Sequence, residues 1–224
     1  MKIVSFSGID GAGKSTQIDA LRTWLGEIGL SVQMLTFWDD VVVLPKVREL
    51  MSHAAFKGDQ GIGSPERPVQ RRDKNVTSLP VIITRFGLYL LDAINLCRVT
   101  LTARKSGRDV VIFDRYIYDE LANLPLKGWL TRAFISSLLK FVPKPDIAYV
   151  IDADPVAALA RKPEYPLDFL QRNRDAYLTL ARLTGAITVI EPQSVEAMAT
   201  EIRSIFLQKL SGPGPEYDGL PALP

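Results

Sequence analysis

Short apolar runs recur along this 224-residue chain at Ile3 to Phe6, Val32 to Phe37, Val110 to Phe113, Ile147 to Ile151 and Ile187 to Ile190, each rich in β-branched and aromatic residues. Helical patterns separate them. Ile18, Leu21, Leu25 and Ile28 recur at three- and four-residue spacing, and Gly29 follows as a stop signal. Strands alternating with helices predict an α/β fold: a mostly parallel sheet, right-handed crossovers, and helices on both faces. The longest apolar stretch, Val81 to Leu101, is interrupted by Arg85, Asp92 and Arg98. Those charges set it short of a membrane span and predict a helix buried on most sides. Two stretches leave the rhythm. One is the polar segment from about His53 to Ser78; the other is the tail 211–224, where Gly212-Pro213-Gly214-Pro215 predicts disorder. No internal repeat is present, so the pattern predicts one domain over 1–210.

Directly after the first predicted strand comes Gly8-Ile9-Asp10-Gly11-Ala12-Gly13-Lys14-Ser15, which fits G-x-x-x-x-G-K-[ST] at every fixed position and leads into the first predicted helix. This is the sequence of a phosphate-binding loop. Glycines let the backbone wrap phosphate oxygens, successive N–H groups form an anion nest, the lysine reaches the terminal phosphates and the serine hydroxyl ligates magnesium. The helix behind the loop turns its positive dipole end toward the anion. Gly8, Gly11, Ala12, Gly13, Lys14, Ser15 and Thr16 are therefore the candidate nucleotide contacts. A second signal is Val110-Val111-Ile112-Phe113-Asp114, an apolar strand ending in a carboxylate. Beside such a loop that aspartate holds magnesium or its waters, so Ser15 and Asp114 are the candidate metal ligands.

Composition narrows the choice of function. Net charge is +2, giving no reason to expect a nucleic-acid or membrane partner, and 47% hydrophobic content supports a sizeable core. Cys97 is the only cysteine and the N-terminus enters a core strand with no signal-peptide pattern, so the expected location is cytoplasmic. His53 is the only histidine, which removes Ser-His-Asp and histidine-based metal-hydrolase readings. An Asn-Lys-x-Asp guanine-reading element is absent, which argues against a GTPase-type switch.

In its motifs the chain resembles the thymidylate kinases, a branch of the nucleoside monophosphate kinases. The resemblance runs from Met1 to about Leu210. It is carried by Phe6-Ser7-Gly8-Ile9-Asp10-Gly11-Ala12-Gly13-Lys14-Ser15-Thr16, by Asp114-Arg115-Tyr116, by Pro145-Asp146 before Ile151-Asp152-Ala153-Asp154-Pro155, and by Arg172-Asn173-Arg174-Asp175-Ala176-Tyr177. It implies a P-loop NTPase fold with a five-stranded parallel sheet, ATP and Mg2+ as donor and metal, a nucleotide acceptor and a short lid at about 155–168. Homodimerisation is a further expectation. Phosphoryl transfer is mostly positioning and charge neutralisation, so cations matter most. The resemblance gives Lys14 the donor phosphates, sets Arg115 between donor and acceptor phosphates, assigns Arg161 and Lys162 to the lid, and brings Asp10 near the acceptor sugar or metal. Lys14, Arg115, Asp10 and Arg161 are the candidate catalytic residues.

The acceptor side departs from the family. Where thymidylate kinases carry Asp-Arg-Glu-Pro, this chain has Thr36-Phe37-Trp38-Asp39-Asp40. Their Asp-Arg pair on the long helix falls, by ungapped counting from Asp114, on Asp92-Ala93, and their Tyr-Gln on Asn123-Leu124. The lid is short, Arg161-Lys162-Pro163-Glu164-Tyr165-Pro166. Asp92, Tyr89, Tyr116, Arg71 and Arg72 are the candidate substrate contacts. Arg67, Arg71, Arg72 and Lys74 form either an anion clamp or a solvated insertion neutralised by Asp59, Glu66 and Asp73; Phe86, Tyr89 and Trp38 either stack on a base or pack in the core. The acceptor is then thymidine monophosphate, or another nucleoside or phosphorylated metabolite; a catalytically weak nucleotide-binding protein is the competing class.

Overall fold

The structure is a computed structural model that describes residues 1–44, Arg48 and residues 78–210. The expected acceptor-side insertion, with Arg71 and Arg72, and the tail 211–224 lie outside the described residues, Ser78 apart. Five strands form one parallel sheet: β1 (Lys2–Ser7), β2 (Val32–Thr36), β3 (Val110–Asp114), β4 (Ile147–Ile151) and β5 (Ile187–Ile190), in the order β2-β3-β1-β4-β5. All five coincide with the apolar runs. The central strands β3, β1 and β4 are buried along most of their length, while the edge strands β2 and β5 are half-buried. That difference matches the near-continuous apolar character of strands covered on both faces.

Seven α-helices are described: α1 (Lys14–Glu27), α2 (Leu79–Lys105), α3 (Ile117–Leu121), α4 (Trp129–Phe141), α5 (Pro155–Arg161), α6 (Leu167–Thr184) and α7 (Val195–Leu210). α1 packs with α7, where Trp24 meets Phe206 edge-on at 6.1 Å, while α2, α3, α4 and α6 form a second group. After β2 the chain makes one wide helical turn, Phe37–Val41, whose Val42 N–H returns to the Phe37 carbonyl. Asp40, one of the two acids in this divergent stretch, accepts from Thr36 N–H at 2.6 Å.

α2 corrects one expectation. It is not buried on most sides: Ile82, Tyr89, Asp92, Ala93, Leu96, Thr100 and Ala103 form one buried stripe, while Leu79, Ile83, Leu90, Leu91, Ile94 and Leu101 are exposed. An apolar composition spread around a helix does not reveal which side a partner covers. An 18-residue window of α2 has mean hydropathy 1.4, long and apolar enough by those criteria to cross a membrane. Its buried stripe nonetheless carries an ion-paired aspartate and packs against α3 and α4, as a core helix does.

The strand order places the site. From β1 the chain passes over β3 to reach β2, returns to β3, and then continues to β4 on the other side of β1. In such sheets ligands bind outside the carboxyl ends of the strands, where the direction of winding reverses. The Gly8 loop leaves β1 at that reversal. Asp114 ends β3 beside it, in register with Phe6.

Candidate active site

Close packing explains why the loop needs its glycines. Gly8 has φ 139°, and a side chain there would place Cβ 2.5 Å from the Ile151 carbonyl oxygen at the end of β4; at Gly11 (φ 80°) it would run into the Ala158 carbonyl of α5. The loop is wedged between those two elements, at φ values that L-residues rarely adopt. Ala12 turns into the core, whereas Ser15 and Thr16 open α1 on the exposed side.

Lys14 is buried, and its ammonium donates to the carbonyls of Gly8 at 3.0 Å and Ile9 at 2.8 Å. Burial, aided by repulsion from Arg115, pulls its pKa down to about 8, although Asp10, Asp119 and Asp114 pull the other way. The lysine is thus curled over its own loop, its charge held against the Gly8 and Ile9 carbonyls.

Arg115 is the hub of the site. Its backbone is left-handed (φ 66°), unusual for a residue with a side chain and costing about 1–3 kcal/mol. The N–H of Arg115 donates to the Phe6 carbonyl at 2.8 Å and continues the β3–β1 ladder one step past the strand. Its guanidinium spans Asp10 at 2.5 Å and Asp119 at 2.9 Å. Asp119 is buried and also accepts from Ser7 Oγ at 2.6 Å, Tyr116 N–H at 3.0 Å and the Tyr177 hydroxyl at 2.7 Å. Burial alone would lower the Arg115 pKa, but Asp119, Tyr177 and Asp10 together raise it, so the side chain stays charged at every accessible pH.

Two more elements close the loop's surroundings. Arg161, at the end of α5, donates Nε to the Gly11 carbonyl at 2.8 Å, so α5 touches the phosphate loop. Arg174 binds Asp152 through two hydrogen bonds of 2.6 Å at the end of β4. Asp114 is half-buried beside the loop, and its carboxylate makes no hydrogen bond to the described residues; the Ser15 hydroxyl is equally free of one.

A second arginine organises the region behind α3. Arg48 contacts Asp92 at 2.5 Å and Glu120 at 3.1 Å, donates Nε to the Val43 carbonyl, and lies 6.0 Å from the Tyr89 ring centre. Asp92 also accepts from Val43 N–H at 2.9 Å. Burial raises the pKa of both Asp92 and Glu120 above the usual carboxylate range, and Arg48 opposes that rise. Tyr89, its own pKa raised by burial, shares a hydrogen bond with Glu120.

The sequence-predicted residues therefore divide. Gly8, Asp10, Gly11, Gly13, Lys14, Ser15, Thr16, Asp114, Arg115 and Arg161 come together around the loop. Asp92 and Tyr89 meet each other in the Arg48 cluster. Tyr116 joins neither: it is fully buried between Phe113 and Tyr118, and its hydroxyl donates to the Pro143 carbonyl, so it packs rather than faces the loop. Phe86 stacks on Phe134 at 3.9 Å and is engaged within the protein. Asp119, Arg48 and Glu120 were not anticipated, and Tyr177 was named only within the Arg172–Tyr177 motif, without a role. For Asp119 the signal was available, because it follows Arg115 by four residues and occupies the N3 capping position behind Tyr116.

The loop and the five-stranded parallel sheet have the α/β fold of P-loop kinases. Along nine-tenths of its length the chain is similar to thymidylate kinases. It is 25% identical over 212 residues to a probable thymidylate kinase of Methanosphaera stadtmanae, covering 92% of this chain and 98% of the relative. It is 28% identical to a probable thymidylate kinase of Methanothermobacter thermautotrophicus (91% and 93%) and 28% identical to a thymidylate kinase of Bifidobacterium longum (90% and 95%). No family model matches the chain. The likeness read from the motifs thus extends over about nine-tenths of the chain.

Proposed function

We propose that this protein is an ATP-dependent nucleotide kinase that phosphorylates a nucleoside monophosphate, with thymidine monophosphate the acceptor of first choice. The observation that carries the reading is the pairing of Lys14 and Arg115. One cation is folded over the phosphate loop; the other is held beside it, at the end of β3, by two carboxylates.

On this reading the loop N–H groups and Lys14 bind the donor phosphates, and Arg115 turns from Asp10 toward the group in transit. Asp119 keeps that arginine at the correct height, and Tyr177 and Ser7 keep Asp119. Arg161 supplies a third cation from the lid. A protein contributes to this reaction chiefly by holding cations where charge spreads over the transferred oxygens. Ser15 and Asp114 suit magnesium, since both are oxygen donors at the loop whose side chains have no hydrogen-bond partner among the described residues. Among the described residues no cluster of three acidic, histidine or cysteine side chains is available, which fits a metal held largely by the nucleotide and water. When bound, magnesium would neutralise charge between the donor phosphates.

A kinase acting on a different acceptor is the second reading, favoured by one observation. Asp92 is occupied by Arg48, and its neighbour Ala93 offers no polar group to a base. We further infer a single kinase domain over 1–210, a cytoplasmic location, no nucleic-acid or membrane partner, and a homodimer for which the exposed apolar side of α2 is the support. Sedimentation of the full chain tests the last.

The experiment is a screen for ADP release with magnesium and ATP against nucleoside monophosphates, nucleosides and sugar phosphates. Turnover with a monophosphate, lost in Lys14→Ala, supports the reading; turnover only with a nucleoside or sugar phosphate moves it to the second.

A further inference from the structure

Away from the loop, a cleft of about 380 Å³ opens beside the α4–β4 and α6–β5 turns. Those turns precede β4 and β5, so the cleft lies by the edge where strands begin, whereas the phosphate loop follows the end of β1. Its bed is apolar, made by Ile135 and Leu139 of α4 and by Leu183 of α6. Around that bed stand three cations, Arg132, Lys140 and Lys144. None is ion-paired with a described residue, and no carboxylate lines the cleft. The Arg132 Nε donates to the Leu126 carbonyl at 3.0 Å, which fixes the stem and leaves the outer N–H groups available.

Tyr118 supplies the independent observation. Although only 4% exposed, it lines the cleft, and its hydroxyl forms no hydrogen bond with any described residue. A hydroxyl without a partner among the described residues, on the wall of a cavity, is a donor that a ligand in the cleft can use. Burial raises its pKa to about 12, so the phenol is a donor at neutral pH. Tyr116 packs against the ring at 5.5 Å and is itself tied to the Pro143 carbonyl, which makes that wall rigid. A concave apolar bed with a few convergent polar groups is the usual build of a small-molecule site, and this volume falls within the common range.

We propose that this cleft binds a small amphipathic organic anion. Its apolar body lies on Leu139 and Leu183, its carboxylate, sulfonate or phosphate head meets Arg132, Lys140 and Lys144, and Tyr118 donates a hydrogen bond to it. The site is separate from the kinase chemistry and does not depend on that reading.

Titration of the full chain with naphthalene-1-sulfonate, followed through amide shifts and calorimetry, tests this, with 1-naphthalenemethanol as the uncharged match. The sulfonate should bind roughly tenfold more tightly than the alcohol, and K140E/K144E should remove that advantage. Leu139→Trp, which fills the bed, should abolish binding of both probes, and Tyr118→Phe should weaken the sulfonate. Thermal melts of each variant establish that it is folded, and the exposed lysine pair keeps the test valid if Leu139→Trp is not. Equal affinity for the two probes, or binding that survives both Leu139→Trp and the charge reversal, would overturn the proposal. So would no binding at millimolar sulfonate.

Discussion

Arg115 and Arg48 each hold two carboxylates, and one carboxylate of each pair comes from α3, at the successive residues Asp119 and Glu120. The two side chains are about equally exposed, at 19% and 17%. What differs is the setting. Arg115 follows the strand end in a left-handed backbone, next to Lys14 and a loop built for anions, and its partner Asp10 is part of that loop. Arg48 instead neutralises acids whose pKa values burial has raised, and it is ringed by Tyr89 and Val43. Under the proposed function the first arrangement exchanges a carboxylate for a phosphate, while the second holds elements together, and α3 stands between the two.

The largest effects should come from the chemical side. Lys14→Ala and Arg115→Ala are each expected to lower turnover about hundredfold or more, the range for removing transition-state charge stabilisation. Unchanged steady-state ADP release in either variant would break the comparison at its stronger end. Arg48→Met should act on stability. It leaves Asp92 and Glu120 buried without their counter-ion, at a cost of about 3–5 kcal/mol, a fall in Tm of roughly 6–20 °C for a chain of this size. Adding Asp92→Asn and Glu120→Gln should recover most of that loss in the same melting experiment.

The adjacent pair on α3 sharpens the contrast. Asp119→Asn should lower kcat by about tenfold or more, because an arginine displaced by an ångström loses much of its effect, while Glu120→Gln should leave kcat within about threefold. Equal kinetic effects from the two would show that α3 does not separate the regions. On the acceptor side, preference for thymidine over uridine monophosphate should stay below about two-hundredfold, the limit of what one methyl group in an apolar pocket provides. A larger ratio in competition assays would mean that buried polar groups read the base after all.

A further effect is protonic. In the folded protein burial lowers the Lys14 pKa to about 8 from 10.5, so between those values the unfolded chain binds more protons. Stability should therefore rise as pH increases from about 8 to 10.5, and the cost of burying the charged lysine is fully present below 8. Bound triphosphate favours the charged form, so ATP binding near pH 8.5 should take up protons, read by calorimetry in buffers of different ionisation enthalpy. Lys14→Met should remove both signals.

Much of this was legible in the chain. The five strands, the loop and the helix behind it follow from local periodicity and from fixed spacing, and both are carried by contiguous residues. Asp114 and Arg115 were legible for the same reason. The Arg48 cluster was not, because its partners lie 44 and 72 residues away and no local pattern links them. The packing of Tyr116 against Phe113 and Tyr118 was not legible, because a motif fixes a residue's identity but not the direction of its side chain. The exposed side of α2 was hidden by composition, because leucines and isoleucines occur on its exposed side as well as in its buried stripe.

Initial rates of ADP release with magnesium, ATP and a panel of acceptors, compared in the unmodified chain and in Arg115→Ala, test the central claim most directly. The account predicts saturable turnover with at least one nucleoside monophosphate and a loss of about hundredfold in the variant, with ATP affinity changed far less. Absence of turnover with every monophosphate, while ATP still binds at the loop, would contradict it.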